Sequence, residues 1–268
     1  MTAVTEPALK AGYVICTEER SGSNLLCQHL ESTNLLGKPH EAFKSAADVA
    51  RLRRAGASAL YDHLKPAATA NGVFGFKLFS GHFDFITGTD WLERLPALQF
   101  VHLQRRDLLG QAISLVKALQ TRSFRASVAP TAEPFYDHGA IAFALKRLTL
   151  ADARWKIFFA TNDLRTLQLT YEEVCDDPMA AVRSIAHRVG VDVAGIVSSA
   201  PAMRVQRDCI SDEWRERYVR DAGSLRRLAP LGFSALRNSA GTVVRRFVGR
   251  FPFSTWYGPT FRAVRPPE

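Results

Sequence analysis

Short apolar runs alternate along the chain with stretches of helical period. Tyr13-Val-Ile-Cys-Thr17 is apolar up to its last residue and is followed by polar residues and Gly22, the pattern of a buried strand feeding a turn. Leu25, Leu26 and Leu30 follow at helical spacing. Residues 45–69 carry one helical period rich in Ala, Leu and Arg. Val73-Phe-Gly-Phe-Lys-Leu78 predicts a second strand, and Phe100-Val-His-Leu-Gln104 a third that runs into Arg105-Arg106-Asp107. A helix is predicted from Leu108 to Gln120, with Ile113, Val116 and Leu119 apolar. Residues 122–137 read as irregular and contain Pro130 and Pro134. A long helix over 139–160 passes through Leu145, Leu148, Ala151, Trp155 and Phe159, which read as core. Leu164 to Thr170 predicts a fourth strand, ending at Tyr171-Glu172. Asp177-Pro178 opens another helix: Asp suits the N-cap, and Pro suits the first helical position, where an N–H has no partner to lose. Val182, Ile185, Ala186 and Val189 mark its buried face, and Gly190 stops it. Strands alternating with helices predict an α/β fold, a single domain whose mostly parallel sheet is flanked by helices.

Composition narrows the class. With 268 residues, 47% hydrophobic and 23% charged, the chain supports one sizeable core and is neither collagen-like nor largely disordered. No run of 18 apolar residues predicts a transmembrane helix. The start, MTAVTEPALKAG, does not read as a secretory signal. Cys16, Cys27, Cys175 and Cys209 are far apart and form no CxxC pair, which argues against a zinc site or disulfide framework and suits the cytoplasm. The net charge of +9 admits nucleic acid, an acidic membrane surface or an anionic small molecule as partner. Its distribution is uneven. Residues 222–268 hold eight Arg and one acid, Glu268, which is +7, so residues 1–221 carry only +2. We read 1–221 as the functional domain and 222–268 as a basic, aromatic extension. The extension either packs on the domain or meets an anionic membrane surface.

Two segments carry candidate chemistry. Thr17-Glu-Glu-Arg-Ser-Gly-Ser-Asn24 joins the first strand to the first helix. A loop there can aim backbone N–H groups at an anion, and the helix N-terminus adds its positive end. Arg20 can supply charge, Gly22 close approach, and Ser21, Ser23 and Asn24 hydrogen bonds. A plain N-capped turn fits the same residues. The triphosphate-loop pattern GxxxxGK[ST] is absent because Ser23 stands at the lysine position, which weakens a kinase-like reading. In the second segment, Arg106 sits at a strand's carboxyl end, where open parallel sheets bind ligands, and Ser114 lies two helical turns on. A solvated helix start with local ion pairs is the alternative. Lys77, inside an apolar strand, either contacts an anion or reaches solvent from a sheet edge.

Together these segments resemble the sulfotransferases. Ile15-Cys-Thr-Glu-Glu-Arg-Ser-Gly-Ser-Asn-Leu-Leu26 resembles their 5′-phosphosulfate loop, and Arg106-Asp-Leu-Leu-Gly-Gln-Ala-Ile-Ser114 their 3′-phosphate motif. Tyr171-Glu-Glu-Val-Cys-Asp-Asp-Pro178 resembles the tyrosine–acid segment near the adenine. Gly37-Lys-Pro-His-Glu-Ala-Phe43, Gln111-Ala-Ile-Ser-Leu115 with Gln120-Thr121, and Gln206-Arg-Asp208 with Glu213-Trp214 are similar to the bacterial trehalose 2-sulfotransferase type. The resemblance implies a P-loop-NTPase-like sulfotransferase architecture. It implies 3′-phosphoadenosine 5′-phosphosulfate (PAPS) as co-substrate, no metal, and a carbohydrate or glycolipid acceptor. A homodimer is implied by the same subgroup, and no nucleic acid partner. By that resemblance Arg20, Ser21, Gly22, Ser23 and Asn24 hold the 5′-phosphate and sulfonate, Arg106 and Ser114 the 3′-phosphate, and Tyr171 lies near the adenine. Glu41 is then the base that takes the acceptor's proton; His40 is a fallback on chemistry alone. His82 and His102 read as structural, and Arg204, Gln206 and Arg207 either close over the donor's 3′-phosphate end or form a solvated loop. Glu18-Glu19 depart from the family pattern. Two acids beside a phosphate site are unfavourable unless they turn away or pair with Arg. The competing functions are a nucleotide-dependent kinase-like phosphotransferase and a non-catalytic anion- or membrane-binding protein.

Overall fold

A computed structural model describes residues 8–87, 89–124, 128–196 and 209–223. Five strands form one parallel sheet: β1 (Ala11–Thr17), β2 (His40–Glu41), β3 (Val73–Phe79), β4 (Leu98–Gln104) and β5 (Leu167–Thr170), in the order β2-β3-β1-β4-β5. Tyr13 to Cys16 of β1 are wholly inaccessible to solvent, as a central strand covered on both faces requires. Alternation divides them. Tyr13 and Ile15 join Leu26, Leu30, Val101, Val182 and Ile185 on one face. Val14 and Cys16 join Phe74, Phe76, Leu78, Trp155 and Phe159 on the other. Gly75 is the register partner of Tyr13, and a Cβ there would lie 2.4 Å from the tyrosine ring. The ring therefore crosses β3 at Gly75, and its hydroxyl donates to Leu36 O at 2.6 Å.

The helices follow the strands. On the first face lie α1 (Ser23–Ser32) and, later in the chain, two helices after β5. Between β2 and β3 the expected single helix is two, α2 (Ala46–Ala55) and α3 (Ala57–Leu64), with a 3₁₀ turn at Lys65–Ala67. The break falls at Gly56, whose φ of 92° no helix accommodates. Ser45 caps α2 by accepting from the Asp48 N–H at 3.1 Å. After β3 come α4 (Ser80–Ile86) and the short α5 (Trp91–Arg94), which the periodicity left unread. Next are α6 (Leu108–Thr121) and α7 (His138–Thr161), within one residue of expectation. The fourth strand starts at Leu167 rather than Leu164, because the Leu164 N–H returns to Phe159 O to close α7. After β5 the chain forms α8 (Tyr171–Asp176) and α9 (Pro178–Arg188), where Asp177 accepts from the Ala180 N–H at 2.9 Å. A final helix, α10 (Cys209–Ala222), seats Trp214 against Ile113, Val116 and Leu148 of α6 and α7. No helix among the described residues is long and apolar enough to cross a membrane. Arg204, Gln206 and Arg207, and the extension beyond Gly223, lie outside the described residues.

Candidate active site

All five strands run parallel, so their carboxyl ends meet at one edge. The sheet order reverses direction at β1, which opens a crevice there. Thr17 ends β1 and donates from Oγ1 to Leu103 O at 2.7 Å; the Ser21 hydroxyl, 2.6 Å away, donates to Thr17 in turn. Ser21 is fully buried, so its hydroxyl fastens the loop and only its backbone remains for a ligand. Arg20 and Gly22 have φ of 61° and 82°, a curl that gathers successive N–H groups on one side. Gly22 caps α1 without a side chain; the Leu25 N–H returns to Gly22 O at 3.0 Å, and the Ser23 and Asn24 N–H groups ahead of it have no capping side chain. Tyr171 packs on Gly22: a Cβ there would fall 2.2 Å from the ring.

Arg20 does not stay within its own loop. Its Nε donates to Ser114 Oγ at 2.8 Å and its Nη1 to Phe124 O at 2.8 Å. The two segments read separately in the sequence are therefore joined by a side-chain bond. Arg106 is different. It is 61% exposed and lies 3.7 Å from Glu172. What is held firmly is its backbone: the N–H groups of Arg106 and Asp107 both donate to the Glu172 carboxylate, at 3.1 and 3.2 Å. Asp107 caps α6 through the Gly110 N–H and accepts Arg215 of α10 at 2.5 and 2.6 Å.

Two residues that sequence reading left without a role also meet here. Glu172 is one. Arg105 is the other, its guanidinium 4.8 Å above the Tyr171 ring and its Nη1 3.4 Å from Arg20 O. The Arg105 Nε is buried and has no partner among the described residues. The same guanidinium faces the Asp107 carboxylate, with Nη2 3.6 Å from Oδ2. The pairing of adjacent arginines after a strand was the available signal.

On the other side of the loop, β2 and β3 bring Glu41 and Lys77 into register as neighbours. Lys77 Nζ lies 3.1 Å from Glu41 Oε1 and donates to Asn24 Oδ1 at 2.7 Å. Lys77 is only 4% exposed, and β3 is an inner strand, so the sheet-edge reading of this lysine falls. A buried ammonium with one carboxylate and one amide ties the loop to Glu41. His40 is exposed, with its Nδ1 3.2 Å from Lys38 O. His102 is enclosed between Gln168 and Asp152, at 3.0 and 3.2 Å, within the fold. Ser23 is buried at the start of α1.

The two acids turn away from the loop. Glu19 pairs with Arg147 of α7 at 2.6 and 3.3 Å. Burial opposes its charge, but Arg147 outweighs burial and holds the carboxyl below its ordinary value. Glu18 accepts the Ser80 N–H at 2.9 Å and the Trp155 indole N–H at 3.2 Å. Burial first, and Glu19 second, raise the Glu18 carboxyl to about 7. Behind Glu18 lies a cavity of about 170 Å³, lined also by Gln104, Arg105, Asp152 and Trp155.

A parallel sheet of this order, a loop curled around backbone N–H groups after its central strand, and a carboxylate linked to that loop through lysine match the arrangement expected from the resemblance to sulfotransferases. The Stf0 sulphotransferase family model matches residues 12–221, and the chain belongs to that family. It is 26% identical over 257 residues to the trehalose 2-sulfotransferase of Mycolicibacterium smegmatis, covering 78% of this chain and 95% of that protein. It is 27% identical over 260 residues to the trehalose 2-sulfotransferase of Mycobacterium tuberculosis, covering 80% and 96%. Among solved structures, the sulfotransferase domain of the Synechococcus PCC 7002 olefin synthase superposes at a TM-score of 0.45 with 17% identity. That match covers 91% of this chain and 98% of that one, and is too loose to carry an argument.

Proposed function

We propose that this enzyme moves the sulfuryl group of PAPS to a hydroxyl of a carbohydrate or glycolipid, with a trehalose-like sugar as acceptor. The observation that carries the reading is the Glu41–Lys77–Asn24 chain, which puts a carboxylate, an ammonium and the donor loop in direct contact. The acceptor identity rests on the names of the two mycobacterial relatives. The donor supplies the sulfuryl group; the new O–S bond forms as the S–O bond to the 5′-phosphate breaks, and 3′-phosphoadenosine 5′-phosphate (PAP) leaves.

The chain's own residues have distinct tasks. Arg20, the N–H groups from Ser21 to Asn24, and Gly22 hold the 5′-phosphate and sulfonate. Arg106 and Ser114 hold the 3′-phosphate, with Arg105 as an added cation. Tyr171 flanks the adenine. Glu41 takes the acceptor's proton, and Lys77 neutralises charge gathering on the transferred group. Residues 1–221 constitute the catalytic domain and 222–268 its basic extension. The proposal includes a homodimer and a cytoplasmic site of action, with the extension either packed on the domain or in contact with an anionic membrane surface. The test is direct: PAP raises the melting temperature without added magnesium, and radiolabelled sulfate passes from PAPS to trehalose or to a glycolipid of the native cell. No melting shift at high PAP concentration overturns the reading.

A further inference from the structure

The turn after β4 and the helix α8 after β5 meet because the two strands are in register up to Gln104 and Thr170. Thr170 and Glu173 form a capping box: the Thr170 hydroxyl accepts the Glu173 N–H at 3.3 Å, and the Glu173 carboxylate accepts the Thr170 N–H at 2.8 Å. That box fixes the first turn of α8, and the two residues inside it divide their contacts. Tyr171 packs on Gly22 and lies under Arg105. Glu172 takes the β4 turn: its Oε2 accepts the Arg106 N–H at 3.1 Å and its Oε1 the Asp107 N–H at 3.2 Å. One helical turn thus grips the donor loop with one residue and the β4 turn with the next.

Glu172 also faces the Arg106 side chain. The Arg106 Nε lies 3.7 Å from Oε2, the same oxygen that holds the Arg106 backbone. An ion pair at that distance, on an arginine 61% exposed, contributes little to stability. Its effect is geometric. A backbone bond and a side-chain attraction from one oxygen narrow the positions that Arg106 takes, and the approach through Nε leaves the Nη1–Nη2 edge of the guanidinium for a ligand. A side chain held beforehand gives up less rotamer freedom when a ligand fixes it. Burial opposes the charge of Glu172, but the N–H groups of Arg106 and Asp107, its own N–H and the Arg105 guanidinium outweigh burial and hold its carboxyl below the ordinary value. Ser114 is held separately, by the Arg20 Nε at 2.8 Å, so the Glu172 contact bears on Arg106.

We propose that Glu172 is a positioning residue for Arg106, and that it sets how strongly the enzyme prefers a donor carrying a 3′-phosphate over one without it. This deepens the proposed function and rests on its assignment of the 3′-phosphate to Arg106 and Ser114. The capping box supplies the fixed platform, the carboxylate anchors the turn and one edge of the guanidinium, and the free edge meets the phosphate.

The experiment uses the full chain and measures the affinities of PAP and of adenosine 5′-phosphate, which lacks only the 3′-phosphate. Glu172→Gln keeps the size of the side chain but sets an amide NH₂ against a backbone N–H. It is expected to lower the preference for PAP roughly tenfold and to raise the KM for PAPS in proportion, with kcat within about twofold of wild type. Affinity for adenosine 5′-phosphate should stay unchanged. Arg106→Ala also lowers the preference, and adding Glu172→Gln to it should lower the preference no further, because both act through one contact. A wild-type preference in Glu172→Gln overturns the inference. So does an additive loss in the double variant, which is what general loosening of the turn produces. If Glu172→Gln does not fold, Glu172→Asp, which draws the carboxylate back by one methylene, is read by the same two outcomes. A wild-type protein that binds PAP no better than adenosine 5′-phosphate overturns the 3′-phosphate assignment of the proposed function itself.

Discussion

Single side chains determine what the site can do. Glu41 is ordinary by type and position in the chain, and its importance comes from Lys77, which touches it at 3.1 Å. Glu41→Gln keeps size and polarity but cannot take a proton. It should leave PAP binding near normal, while turnover falls about 10²–10⁴-fold, the usual scale of a general base. Steady-state kinetics with a PAP melting assay read both. Glu18 gives a prediction of a different kind. Its carboxyl stands at about 7 in the fold against an ordinary 4.5. The folded state therefore holds the proton more tightly, so Glu18 contributes stability that is complete below about pH 4.5 and is lost as pH rises through about 7. Both donors reach the same oxygen, Oε1, which glutamine retains. Glu18→Gln should raise the melting temperature at pH 8 and change it little at pH 5. An equal effect at both values refutes the role given to burial here.

At the scale of elements, two turns decide the geometry. The loop after β1 folds back because Arg20 and Gly22 take left-handed backbone angles and because Tyr171 occupies the space beside Gly22. Gly22→Ala faces both costs, a φ of 82° and a Cβ 2.2 Å from the ring. It should destabilise the fold by about 1–3 kcal/mol and abolish the PAP melting shift, as thermal denaturation with and without PAP reports. The turn after β4 is held from outside by Glu172 and Arg215 in addition to its own Asp107 cap. Helix α7 does structural work for the site: Trp155, 2% exposed, packs the second face and donates to both Thr17 O and Glu18. Trp155→Ala should cost about 3–5 kcal/mol in a urea titration. Strongly periodic elements, α6, α7 and α9, were legible from residue spacing. The two-residue β2 was not, because two residues carry no period. Helix α4 was hidden by Phe79, Phe83 and Phe85, whose aromatic run reads as strand as easily as helix.

For the whole molecule, charge and topology separate cleanly. The extension carries +7 of the +9, so anion recognition in residues 1–221 rests on a few placed groups instead of a general field. Replacing the eight Arg of 222–268 with Gln in the full chain should leave the PAP melting shift intact; its loss would move donor binding to the extension. The sequence alone determined the α/β class, because apolar strands and amphipathic helices alternate and hydrophobic burial admits few arrangements of that order. It also singled out the loop Arg20 to Asn24 and the candidate pair Arg106 and Ser114, since each is a local pattern along one strand–turn–helix. Only tertiary structure decided how they meet. It sent Arg20 to Ser114, withdrew the Ser21 hydroxyl into the loop, turned Glu18 and Glu19 toward α7, and set Lys77 between Glu41 and Asn24. Apart from the Ser21–Thr17 bond within the loop, each of those contacts joins residues far apart in the chain, and register and packing, which local spacing does not encode, bring them within bonding distance.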